Sequence, residues 1–121
     1  RASPRSSFLR PLGNLGVNRG KISRARIEIG AMRLMVLKAA KAMDVLGKKE
    51  ARVWISMVKA MVPEKVCKIS DDAIQMHGAT GVSQWSPLSR MYAQQRTLRL
   101  ADGPDEVHMG MVTRLELKRY V

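Results

Sequence analysis

Residues 21–47 read KISRARIEIGAMRLMVLKAAKAMDVLG. Their apolar positions Ile22, Ala25, Ile29, Met32, Val36, Ala39, Met43 and Leu46 alternate spacings of three and four. An α-helix turns by about 100° per residue, so this alternation gathers them on one stripe. The stripe predicts a helix of roughly 37 Å, at about 1.5 Å per residue. Gly47 is a natural stop, because glycine accepts the left-handed conformation that closes a helix. So long a seam packs well against antiparallel neighbours at a shallow angle.

Working towards the C-terminus, the spacing predicts a second helix from about Glu50 to His77. Ile55, Val58, Val62, Val66, Ile69, Ala73 and Met76 form its stripe. Pro63 lacks a backbone donor and crowds the preceding turn, so a kink is expected near 59–63. Asp71 and Asp72 are expected to face solvent. Gly78-Ala79-Thr80-Gly81 ends this helix, and 82–87 reads as a turn. A third helix is predicted over about 87–98, with Pro87 in its first turn. Leu88, Met91, Tyr92, Gln95 and Leu98 share one face, and Arg90, Arg96 and Arg99 fall on the more polar side. The string Asp102-Gly103-Pro104-Asp105-Glu106 signals a fourth helix, since Asp can cap, Pro fits an early position, and acids favour the positive helix end. Val107, Met111, Val112 and Leu115 are expected inside. The fold class is therefore all-α, an antiparallel up-and-down four-helix bundle.

Towards the N-terminus, residues 1–20 (RASPRSSFLRPLGNLGVNRG) lack helical periodicity. They read as an irregular basic arm before a bundle domain over 21–121. The arm is acid-free and rich in Arg and Ser, like a transit peptide.

The whole chain has 121 residues, enough for one domain with its own core, and 45% of them are hydrophobic, which sets it apart from a disordered tail. The net charge of +12 admits nucleic acid, an anionic membrane or a phosphorylated ligand as partners. No basic block is interleaved with aromatics, so a nucleic-acid surface is not indicated. No apolar run approaches the roughly 18 residues that span a bilayer. Cys67 is the only cysteine, which excludes an internal disulfide and a four-cysteine zinc site. It reads as a buried thiol. His77 and His108 sit on different predicted helices without acidic company, so no metal site is predicted. Trp54 and Trp85 read as packing residues.

Two strings carry more than helical pattern. One is Ala73-Ile74-Gln75-Met76-His77-Gly78-Ala79-Thr80-Gly81. The other is Arg99-Leu100-Ala101-Asp102-Gly103-Pro104-Asp105-Glu106-Val107-His108. With Arg26-Ile27-Glu28-Ile29, they resemble the acyl-CoA dehydrogenase family, in particular its branch of family members ten and eleven. The resemblance covers about residues 21–118. It implies an FAD-dependent enzyme of fatty acid β-oxidation that dehydrogenates acyl-CoA thioesters between the α and β carbons. A carboxylate takes the α-proton, and the flavin receives the β-hydrogen as hydride.

The matching base position is Asp102. From the residues alone Asp102 reads as a helix N-cap; the resemblance assigns it the catalytic role. Gly103 matches a position whose backbone approaches the thioester. Pro104, Asp105 and Glu106 match a stretch beside the flavin. Gln75, Met76, His77, Gly78 and Ala79 match a segment that contacts the flavin of a neighbouring subunit, which implies a homo-oligomer. Ala79 stands where many relatives have a second glycine. Residues 1–20 do not present the arginine and glutamine that the family extends across the dimer. The family's N-terminal helical domain and middle β-barrel have no counterpart here, so the isolated chain is expected to be inactive. A non-catalytic helical oligomerisation module is the alternative. Location is expected to be mitochondrial or peroxisomal. The arm favours the first, and no peroxisomal tripeptide ends the chain.

Overall fold

A computed structural model describes residues 6–7 and 10–121. Of the expected irregular arm, residues 1–5 and 8–9 lie outside the described residues. Ser6–Ser7 (β1) pairs antiparallel with Arg10–Pro11 (β2), and a single 3-10 turn, Leu12–Asn14, follows. Helix α1 then runs over Gly16–His77. It starts earlier than its apolar stripe: residues 16–20 are helical, not irregular. Arg19 N–H already donates to the Leu15 carbonyl at 3.0 Å. Extending an existing helix by a turn costs far less than nucleating one, which outweighs the weak helix propensity of Gly16 and Gly20.

Gly47 is the one residue inside α1 with non-helical backbone, at φ 79° and ψ 176°. There the chain reverses into two arms, 16–46 and 48–77. Two cross-arm ion pairs bracket Gly47 almost symmetrically, Lys65–Glu28 and Lys21–Asp72, each at 3.0 Å. The arms are therefore an antiparallel hairpin. Pro63 is buried, and the backbone stays helical through it, so the expected kink is no break. Short helix α2 (Ala79–Val82), α3 (Leu88–Leu98) and α4 (Asp105–Leu117) complete the fold, and all three lean on α1. The two long arms with α3 and α4 make the all-α fold that the periodicity predicts.

The core differs from the predicted stripe in one respect. The inward positions of the first arm are Lys21, Ala25, Glu28, Met32, Met35, Ala39 and Ala42. Ala25, Met32 and Ala39 are shared with the prediction, whereas Ile22, Ile29, Val36, Met43 and Leu46 are exposed. On the second arm the buried positions are Ala51, Ser56, Ala60, Pro63, Cys67 and Ser70. Small side chains line the seam and let the helix backbones approach closely. Apart from Met32 and Met35, the large apolar groups of the first arm stand at its flanks. Asp72, expected in solvent, is half-buried and holds both Lys21 and Lys68. On α4 the prediction holds for Met111, Val112 and Leu115, but Val107 is exposed. Trp54 packs as expected, with the Lys38 ammonium 5.3 Å from its ring centre. Trp85 does not: it is 82% exposed. Cys67 is buried, and burial pushes its thiol up.

Candidate functional site

The turn between α3 and α4 is built from polar contacts. After Leu98 the helix closes with Leu100 and Ala101 N–H donating to the Thr97 carbonyl at 3.0 and 2.9 Å. Asp102 then takes φ 55°, and Gly103 takes φ 95°. Asp102 is the only described non-glycine residue in the left-handed region, an arrangement that costs on the order of 1 kcal/mol or more and persists only where neighbours enforce it. Four side chains brace the turn. The Lys59 ammonium, from the second arm of α1, donates to the carbonyls of Leu98 and Gly103, the latter at 3.1 Å. Arg99 Nε donates to Asp105 Oδ2 at 2.6 Å, and Asp105 N–H returns a bond to the Arg99 carbonyl at 3.1 Å. His108 Nε2 lies 3.1 Å from the Asp102 carbonyl and donates to it when that nitrogen carries the proton.

These contacts correct the helix-cap reading of Asp102. Helix α4 begins at Asp105, its N-cap position is Pro104, and no side chain caps it. Asp102 stands outside the helix with its side chain exposed, and its carboxylate makes no hydrogen bond or ion pair among the described residues. Pro104 is half-buried, and Glu106 is exposed on the first turn of α4. Asp105 is 4% exposed and turned inward, so its carboxylate serves Arg99 rather than the surface. Its Oδ1 is buried without a hydrogen-bond partner. Arg99, expected on the polar side of α3, is held by this bond, which raises its guanidinium above the ordinary value against the opposing effect of its own partial desolvation.

The glycine turn after α1 is built differently. Gln75 is exposed, Met76 is half-buried, and His77 Nδ1 lies 2.8 Å from the Ala73 carbonyl one turn back. Gly78, at φ 60° and ψ −143°, donates its N–H to the Gln75 carbonyl at 3.3 Å. Gly78 and Ala79 are exposed, whereas Gly81 is buried against the preceding helix. A Cβ at Gly81 would lie 2.5 Å from the Ile74 carbonyl oxygen. Beyond it, Val82, Trp85, Pro87 and Arg90 help line an open cavity of about 600 Å³.

The chain does not bring its two strings together. Lys59 marks the level of Asp102 on the second arm, and Gln75 lies sixteen residues further along, about 24 Å at 1.5 Å per residue. Lys59 is the residue of this turn's surroundings that sequence reasoning misses. Its partners lie 39 and 44 residues away, and no local pattern announces them. Among the described residues no group of three His, Cys, Asp or Glu side chains is placed to hold a metal. No described helix is long and apolar enough to cross a membrane.

The long helical hairpin with two shorter helices across it is the fold of acyl-CoA dehydrogenase C-terminal domains. The chain belongs to that family, whose model, "Acyl-CoA dehydrogenase, C-terminal domain", matches residues 1–117. The match includes residues 1–20 and so corrects the narrower span read from the sequence. Among curated relatives, Acyl-CoA dehydrogenase family member 11 of Mus musculus is 50% identical over 118 residues, covering 98% of this chain and 15% of the relative. Acyl-CoA dehydrogenase family member 10 of Mus musculus is 46% identical, with 98% and 11% covered. A solved structure from Mycobacterium abscessus is 45% identical with a TM-score of 0.97, with 99% of this chain and 30% of that one covered. The FAD complex of PigA shares the fold at 23% identity and a TM-score of 0.89, with 98% of this chain and 30% of that one covered. The chain thus spans between 11% and 30% of these relatives' own length.

Proposed function

We propose that this chain supplies the base-bearing part of an FAD-dependent acyl-CoA dehydrogenase, and that it is inactive alone. The observation that supports this reading is the carboxylate of Asp102, free of intramolecular partners at the exposed crest of a turn clamped from behind. In this reading Asp102 takes the α-proton of an acyl-CoA thioester. Bound FAD supplies the acceptor for the β-hydride. Exclusion of water by the acyl chain strengthens the carboxylate as a base. Gly103, half-buried beside His108, gives the thioester room beside its backbone. The exposed edge of Gln75, Gly78 and Ala79, with the half-buried Met76 and His77, suits one side of a dinucleotide. Pro104, Asp105 and Glu106 contribute backbone near the flavin, since the Asp105 carboxylate is engaged by Arg99. These residues fit an edge of FAD and not its whole seat. A mitochondrial or peroxisomal setting follows from the β-oxidation chemistry of this reading.

The test is a fusion in which this chain replaces the corresponding domain of the Mycobacterium abscessus relative. The fusion is expected to oxidise acyl-CoA, and Asp102→Asn to lower kcat by roughly a thousandfold, as for loss of a general base. The isolated chain is expected to purify without stoichiometric flavin; a full complement of flavin on it would refute the incompleteness.

A second reading, a helical oligomerisation module, draws on the flanks of the hairpin. Ile22, Ile29, Val36 and Met43 are exposed at seven-residue intervals, and Val36, Met43, Ile55, Val58 and Val62 help line an apolar groove of about 500 Å³. A second copy of the chain is the occupant this reading names. Light scattering that reports a strict monomer at high concentration removes it.

A further inference from the structure

The Lys59 side chain joins α1 to the turn between α3 and α4. The residue stands midway along the second arm, half-buried, four positions before Pro63. Pro63 has no N–H, so the Lys59 carbonyl loses its ordinary helical donor. The side chain reaches across to α3 and its following turn. One ammonium joins the last residue of α3 to the residue after Asp102, closing a segment that contains a left-handed aspartate. Hydrogen bonds from a charged donor are the strong ones, and two from a single head restrict the segment at both ends.

We propose that Lys59 is a positioning residue: it fixes the Asp102–Gly103 turn, and with it the direction of the Asp102 carboxylate, by donating to the carbonyls of Leu98 and Gly103. Arg99–Asp105 and His108 hold the far side of the same turn, so the strained Asp102 backbone is bounded on each flank. The clamp itself stands on these distances. Its bearing on proton abstraction rests on Asp102 being the base.

Lys59→Met keeps the aliphatic stem and removes the donors; Lys59→Arg keeps the charge. Amide hydrogen exchange on the full chain reads the turn directly, because the Asp105 N–H bonds the Arg99 carbonyl and the Ala101 N–H bonds the Thr97 carbonyl. In Lys59→Met the Asp105 and Ala101 amides are expected to exchange about tenfold faster, while those of Ser56 and Ala60 stay unchanged. Lys59→Arg is expected to restore most of the protection. Unchanged exchange at Asp105 overturns the proposal, and so does a uniform loss of protection across α1, which would mark a packing role. In the active fusion, Lys59→Met should lower kcat with little change in KM, and Lys59→Arg should recover it. An inactive fusion would count against the dehydrogenase reading and leave the exchange result to decide the clamp.

Discussion

The two glycine turns of this chain solve different problems. At Gly78–Gly81 the constraint is space: α2 folds back so closely on α1 that nothing larger than hydrogen fits at Gly81. At Asp102–Gly103 the constraint is direction, since an L-residue is held left-handed by charges drawn from α1, α3 and α4. The first turn is steric and leaves its polar residues facing outwards. The second is electrostatic and presents one carboxylate. The difference teaches where each turn is vulnerable: a methyl group ruins the first, and loss of a charge loosens the second.

The largest expected effect lies at the steric turn. Gly81→Ala places a methyl against backbone, which cannot rotate away as a side chain would. A loss of about 2–3 kcal/mol is expected in urea denaturation, at the upper end for overpacking. A variant as stable as the parent would show that α2 can lift off α1 at no cost, and the contrast between the turns would collapse.

At the electrostatic turn a glycine is expected to help. Asp102→Gly relieves the left-handed strain, offset in part by the greater freedom of glycine in the unfolded chain, for a net gain of about 0.5 kcal/mol. Asp102→Val, β-branched in the same conformation, is expected to cost about 1–2 kcal/mol. Thermal melts of the two variants give opposite signs if strain is stored at Asp102. A loss with glycine would mean that the side chain caps or anchors the turn after all. The stabilising change also removes the proposed base, as expected where a functional residue sits in a strained position.

The contrast also separates what the sequence reveals from what it hides. Gly47 and the Gly78–Gly81 string are local signals, and the helices end there. The start of α4 is equally legible, because proline and acids at a helix start act within one turn. The stripe of the first arm is legible only in part. Periodicity finds an apolar side, but Ala25, Ala39 and Ala42 enter the seam ahead of the larger Ile22, Ile29 and Val36, because close approach favours small groups. Trp85 reads as core by its size and stands in solvent, since nothing in the described chain covers it. The catalytic assignment of Asp102 came from resemblance, whereas its backbone strain and the Lys59 contacts arise only when residues some forty positions apart meet.

The smallest effect concerns the fastening of the two arms beside the steric turn. Partial burial works against the charge on Asp72, but hydrogen bonds and attraction from Lys21 and Lys68 outweigh it and hold the carboxyl below the usual carboxylate range. A depressed carboxylate stabilises the fold fully above its unfolded value of about 3.9, and that stability is lost as pH falls through the folded value. The pair is partly open to water, so about half a kcal/mol is expected. Urea midpoints of the parent and Asp72→Asn, compared from about pH 6 to pH 3, should converge at the acid end. A constant gap across that range would assign the effect of Asp72→Asn to something other than its charge. Convergence would show that this end of the hairpin is tied by ion pairs, in contrast to the close backbone contact at Gly81.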